Sequence, residues 1–174
     1  EIPDEEERDF IRILREQLHP RSKAIAAHFT IAYPTTQVSG VDLIADISTR
    51  ADGLSSFPFI LRCAIPSPDD SSGAVDVFLV PEEGFSAFAR LSDQVYAGVL
   101  SPFRRRDLLT IPHLTIARYS NPLKAEEMCK SLNTIRFSVR GVINSLDILE
   151  RVAGNVRTIL QIKLTTSDSE GQTD

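Results

Sequence analysis

Two stretches of this chain, AAHFTIAY at 26–33 and IPHLTIARY at 111–119, repeat one short pattern: histidine, an apolar residue, threonine, isoleucine, alanine. In an extended strand, successive side chains point to opposite faces. His28 and Thr30 then share a face with Ala26 and Ala32, while Ile25, Phe29 and Ile31 point the other way. His113 and Thr115 share a face with Ala117, and Leu114 and Ile116 oppose them. Each stretch therefore has one apolar face to bury and one polar face flanked by small residues, with room above it. A sheet packed on one side and open on the other meets that requirement. About one residue in sixteen is threonine, so two of three histidines with threonine at the second position after them are expected about once in a hundred such chains. The bland alternative is a pair of exposed sheet faces satisfied by water.

The rest of the chain supplies elements to cover the apolar faces. The spacing of Phe10, Ile11, Leu14 and Leu18 predicts a helix from Asp4 to Leu18, ended by "HPR", with His19 as a cap. A strand is expected from Ala24 to Tyr33, with Tyr33 on its core side, then a helix from Ser39 to Thr49. The strands FPFILRCAI and AVDVFLV follow, joined by the turn-rich PSPDDSSG. Helices are predicted from Pro81 to Leu100 and from Leu123 to Leu132, on either side of the second histidine strand. Three strands close the chain, TIRFSVRGV, SLDILERV and NVRTILQIKL, the last two joined by the hairpin signal "AG". Hairpins predominate, so the expected class is α+β, with mainly antiparallel sheets and helices packed outside. The two histidine strands suggest two similar lobes within one domain over residues 1–165, and residues 166–174 read as a disordered tail.

A net charge of −5 argues against an extended nucleic-acid surface. No apolar run reaches the roughly 18 residues of a membrane span, and EIPDEEERDF lacks the features of a signal peptide. Cys63 and Cys129 lack metal-ligand spacing; both read as inert core residues. A monomer in the reducing cytoplasm is the expectation.

Two imidazoles and two hydroxyls facing one cleft suit acid–base chemistry at a phosphate. One neutral histidine takes a proton from an attacking oxygen, and the other, protonated, gives one to a departing oxygen. Threonine hydroxyls donate to the non-bridging oxygens. No cofactor or metal is needed, and two histidines without companion ligands make a weak zinc site.

With HFT at 28–30 and HLT at 113–115, Pro112 before the second and IAR ending in Arg118, the chain resembles the 2H phosphoesterases. These include the 2′-5′ RNA ligase-like proteins and cyclic phosphodiesterases. The resemblance, over Asp9 to Leu164, implies a two-lobed fold with the motifs facing across a central groove. It implies action on nucleotide phosphodiesters with a vicinal hydroxyl, at a nucleotide or an RNA terminus. His28 and His113 would be the acid–base pair, and Thr30 and Thr115 would bind phosphate. Arginine at the Arg118 position is often near the phosphate in that family, yet strict alternation turns Arg118 away from His113 unless the strand twists, bulges or ends. Tyr119 has the parity to stack on a base or to close the core. Arg104, Arg105 and Arg106, at the groove's edge, either hold substrate phosphates or form a solvated charge run.

Overall fold

Helix α1 (Glu5–Leu18) opens on Asp4, whose carboxylate accepts the Glu7 N–H at 2.9 Å, a cap worth about 1 kcal/mol. Its inner side buries Ile11 together with a charged residue, Arg15. The computed structural model describes residues 1–69, 71–105, 111–153 and 155–166. After α1 come α2 (Gly40–Ala51), β1 (Phe57–Asp69), β2 (Ala74–Glu83), α3 (Phe85–Val95), a single 3-10 turn at Ser101–Phe103, β3 (Leu114–Tyr119), α4 (Pro122–Ile135), β4 (Val139–Ile143), β5 (Ser145–Val152) and β6 (Asn155–Lys163). Four strands pair antiparallel in the order β3-β2-β1-β4, and β5 and β6 form a second antiparallel sheet. The class is α+β, as the pattern predicts.

Two apolar clusters divide the molecule. In the first, α1, α4 and Phe88 of α3 cover the four-stranded sheet on the face bearing Val75, Val77, Leu79, Leu114 and Ile116. The second gathers Ile47, Leu91, Val95, Tyr96, Leu146 and Ile148 from α2, α3 and the segment after it, and the β5–β6 hairpin. Alternation along β2 decides which face is covered: Val75, Val77 and Leu79 are buried, while Asp76, Phe78 and Val80 are half-exposed on the open face.

Several expectations change. The strand expected from Ala24 to Tyr33 is reduced to one antiparallel bridge, Phe29 to Leu114. Arg15 and the His28 ring take the carbonyls of Ile25 and Ala26, so side chains stand where a ladder would. The segment passes from one core to the other: Phe29 packs on the first, Ile31 on both, Ala32 on the second. The two motifs thus lie side by side instead of opening separate sheets. The helix expected at Pro81–Leu100 is shorter because β2 runs on to Glu83, paired with Ile60. Gly84 makes the turn into α3 at φ +89, and a Cβ there would stand 2.6 Å from the Pro58 carbonyl oxygen. The end of α4 claims Thr134 and Ile135, and a left-handed Arg136 (φ 51) separates it from β4. The last hairpin turns at Ala153, φ 49, between Val152 and Asn155.

Cys63 is exposed, not buried, while Cys129 is buried. Register shifts on either side of Leu61 interrupt the alternation, so that Leu61 and Ala64 face the core and Cys63 does not. Asn133 of α4 stabilises this irregular stretch, accepting from the Ala64 N–H at 2.8 Å and donating to its carbonyl at 2.9 Å. Burial raises the Cys129 thiol to about 11. No helix among the described residues is long and apolar enough to cross a membrane. The tail from residue 167, like Arg106, lies outside the described residues.

Candidate active site

The single bridge between Phe29 and Leu114 sets the geometry of the motifs. In an antiparallel pair its neighbours face one another in turn, His28 across from Thr115 and Thr30 across from His113. Phe29 and Leu114 pack on the first core, so the four polar side chains share the open face. Directly opposed positions lie about 4.5–5.5 Å apart and diagonal ones about 7–8 Å. By this register the two imidazoles fall on one diagonal of a square and the two threonines on the other. Their proximity is also electrostatic, since charge on His28 acts on His113.

Each ring is oriented in the same way. His28 Nδ1 lies 2.8 Å from the carbonyl oxygen of Ala26, and His113 Nδ1 lies 2.7 Å from that of Ile111. A carbonyl only accepts, so in both neutral rings Nδ1 carries the proton and Nε2 the lone pair. Among the described residues, neither Nε2 nor either threonine hydroxyl has a hydrogen-bond partner. The surroundings differ. His28 is exposed, whereas His113 is half-buried and stacked on Phe78 of β2, ring centroids 3.6 Å apart and planes at 12°. Burial pushes His113 below the ordinary histidine value; the Ile111 carbonyl and the Asp76 carboxylate pull it back up, and His28 pushes it down.

Arg118 reaches this face because β3 bulges. Thr115 pairs with Phe78 but Ala117 pairs with Val77, leaving Ile116 extra. Ile116 and Ala117 are consecutive buried residues, and beyond them the parity is reversed. Arg118 lands across from Asp76 on the side of His113 and Thr115. Its guanidinium is already engaged: Nη1 donates to both Asp76 oxygens at 2.9 and 2.8 Å, and Nη2 to Asp69 and to Ser72 Oγ, the latter at 2.6 Å. Hydrogen bonds from Ser71, then from Arg118 and Ser72, hold the Asp69 carboxyl well below the usual carboxylate range. The same bulge sets Tyr119 across from Val75 and against the first core. Of its two readings, closing the core is the one its position supports.

Of the arginine run, Arg104 is engaged by α3 and the residue that follows it. Arg104 pairs with Asp93 at 2.7 Å and lies over the Tyr96 ring, 5.4 Å from its centroid. Arg105 makes an interaction of its own, and Arg106 is outside the described residues. Tyr33 is half-buried, its N–H donating to Tyr96 Oη at 2.9 Å. His19 caps α1 as expected, its N–H donating to the Arg15 carbonyl at 2.9 Å. It also stands within electrostatic range of Asp76 and Arg118; burial is the main cause lowering its pKa. The described residues contain no group of three or more His, Cys, Asp and Glu side chains placed to hold a metal ion.

Sequence reasoning missed three residues at this site. Phe78 and Asp76 had a visible signal, being members of AVDVFLV on the face opposite Val75 and Val77. Arg15 had none. It reads as an ordinary polar helix residue, yet it is 4% exposed and donates to the carbonyls of Thr115 at 2.5 Å and Ile25 at 2.7 Å.

The fold is similar to that of E. coli LigT in its apo form, at 16% identity over 95% of this chain and 94% of that one, with a TM-score of 0.56. LigT complexed with 3′-AMP gives 17% identity, 95% coverage of both chains and a TM-score of 0.53. Kluyveromyces marxianus Usb1 gives 9% identity over 91% of this chain and 93% of that one, with a TM-score of 0.50. At these identities the likeness is one of fold. No curated protein matches the chain in sequence. The model of the 2′-5′ RNA ligase superfamily matches residues 2–155, and the chain belongs to that superfamily, among the 2H phosphoesterases.

Proposed function

We propose that this protein is a phosphodiesterase that opens a 2′,3′-cyclic phosphate at a nucleotide or RNA end by two-histidine acid–base catalysis. The observation carrying this reading is the square of His28, Thr30, His113 and Thr115 on one open sheet face, with both Nε2 atoms free of partners among the described residues. Half-buried His113, its pKa lowered by burial, is assigned the base. Its Nε2 takes the proton of the attacking water as the new P–O bond forms. Exposed His28 is assigned the acid, and its Nε2–H protonates the departing ribose oxygen as that P–O bond breaks. The rings then hold each other's protonation state and reset through solvent. The threonine hydroxyls donate to the non-bridging oxygens as charge gathers there.

LigT has been seen with 3′-AMP, a ribonucleotide monoester of the class such a reaction releases. The superfamily's name favours a second substrate, the 2′-5′ linkage, made or broken by the same pair run in either direction. Incubation with 2′,3′-cyclic nucleotides, 2′-5′ oligomers and 3′-5′ controls in chelator, with products identified, tests both. Release of a single monoester from the cyclic substrates is expected. Reversible binding without turnover of any of them would instead make the protein a recognition module.

A further inference from the structure

We propose that Arg15 is a positioning residue that sets the spacing between the two histidine motifs. The inference rests on the phosphodiesterase reading for its kinetic consequence, though not for its geometry. Arg15 sits in α1 at 4% exposure, and its burial pushes its pKa down. Among the described residues its side chain has no carboxylate partner. Its hydrogen bonds go to two backbone carbonyls, those of Ile25 and Thr115. The first lies just upstream of His28, and the second belongs to the threonine across from His28.

A buried, unpaired charge is costly, and a residue needed for packing alone at this place in the stripe would be leucine or methionine. What an arginine adds is a planar fork able to span two acceptors. The first motif segment needs such support, because one bridge is all that ties it to β3. β3, by contrast, pairs with β2 over most of its length. Arg15 therefore stands where ladder hydrogen bonds would continue if the two segments stayed paired beyond Phe29. Without it, the His28 side of the square is free to drift from the His113 side while both lobes remain folded.

The test uses the full chain with Arg15→Lys, Arg15→Met and Arg15→Ala. A displacement of this kind lowers kcat on a 2′,3′-cyclic nucleotide by about 100-fold, with KM little changed and cooperative thermal unfolding retained. Added guanidinium ion should restore part of the kcat of Arg15→Ala and none of that of a His28 variant. Independently of turnover, the ring proton resonances of His113 report the effect of His28 on its titration. In the wild type the His113 titration should change on His28→Gln substitution, and in Arg15→Met that coupling should disappear. Lost coupling in a protein that hydrolyses nothing would support the clamp and sink the phosphodiesterase reading. Folded variants with unchanged coupling and near-normal kcat would overturn the clamp. So would unfolding of all three variants with no recovery in guanidinium, since Arg15 would then serve general stability.

Discussion

The two histidine motifs are near copies in sequence and unlike in support. The second is built into a strand: Leu114 and Ile116 are buried, Thr115 pairs with Phe78, and the His113 ring lies flat on that phenylalanine. The first makes one bridge and leaves His28 exposed. What the two share is the last bond, from Nδ1 to the carbonyl two residues before. The comparison shows that an imidazole can be aimed by its own backbone and needs no regular strand, while its environment is set separately by what packs on the ring.

The strongest way to break the comparison is to remove each ring. His28→Ala and His113→Ala should each lower turnover by about 10³-fold. Thermal unfolding should separate them, because only His113→Ala uncovers the Phe78 face. Equal losses of stability would mean that the difference in support is irrelevant. Next come the hydroxyls. Thr30→Val and Thr115→Val should each lower kcat by about 100-fold, and a loss confined to one of them would show that the square is not used symmetrically.

Phe78→Leu sharpens the contrast within the second motif. Loss of the stacked ring should lower stability by about 1 kcal/mol. It should also let water reach His113 and move the acidic limb of the pH–rate profile upward, leaving His28→Ala as deficient as before. The smallest effect concerns stability and pH. The folded pKa of His113 lies below its ordinary value of 6.5, so as the pH falls the unfolded chain binds a proton first. Stability should be fully present above about that value, fall as the pH drops through it, and level off below the folded pKa. His113→Gln should remove part of the slope in chemical melts between pH 8 and 5, and the remainder contains the like-signed contribution of His19.

Much of this was legible in the residues. Asp4 and Ser39 cap the helices that their apolar stripes predict, and the inward set Leu114 and Ile116 follows from alternation. Alternation failed where one strand gained a residue over its partner. An extra Ile116 reversed the faces of Arg118 and Tyr119, and register shifts around Leu61 turned Cys63 outward. Such shifts depend on the partner strand, which no local window contains. Arg15 was invisible for a related reason: its acceptors are carbonyls, which every residue carries, so nothing in the order of side chains marks them.

Half a turn about the midpoint of the Phe29–Leu114 bridge exchanges His28 with His113 and Thr30 with Thr115. A ribonucleotide has a 5′ side and a 3′ side, and four groups related in this way have no preference between them. On the phosphodiesterase reading, directionality must then come from groups outside the square that break its symmetry: the phenylalanine under one imidazole, and the Asp76–Arg118 pair on the same flank. Exchanging those neighbours, with the four motif residues untouched, is where a reversal of polarity would be sought.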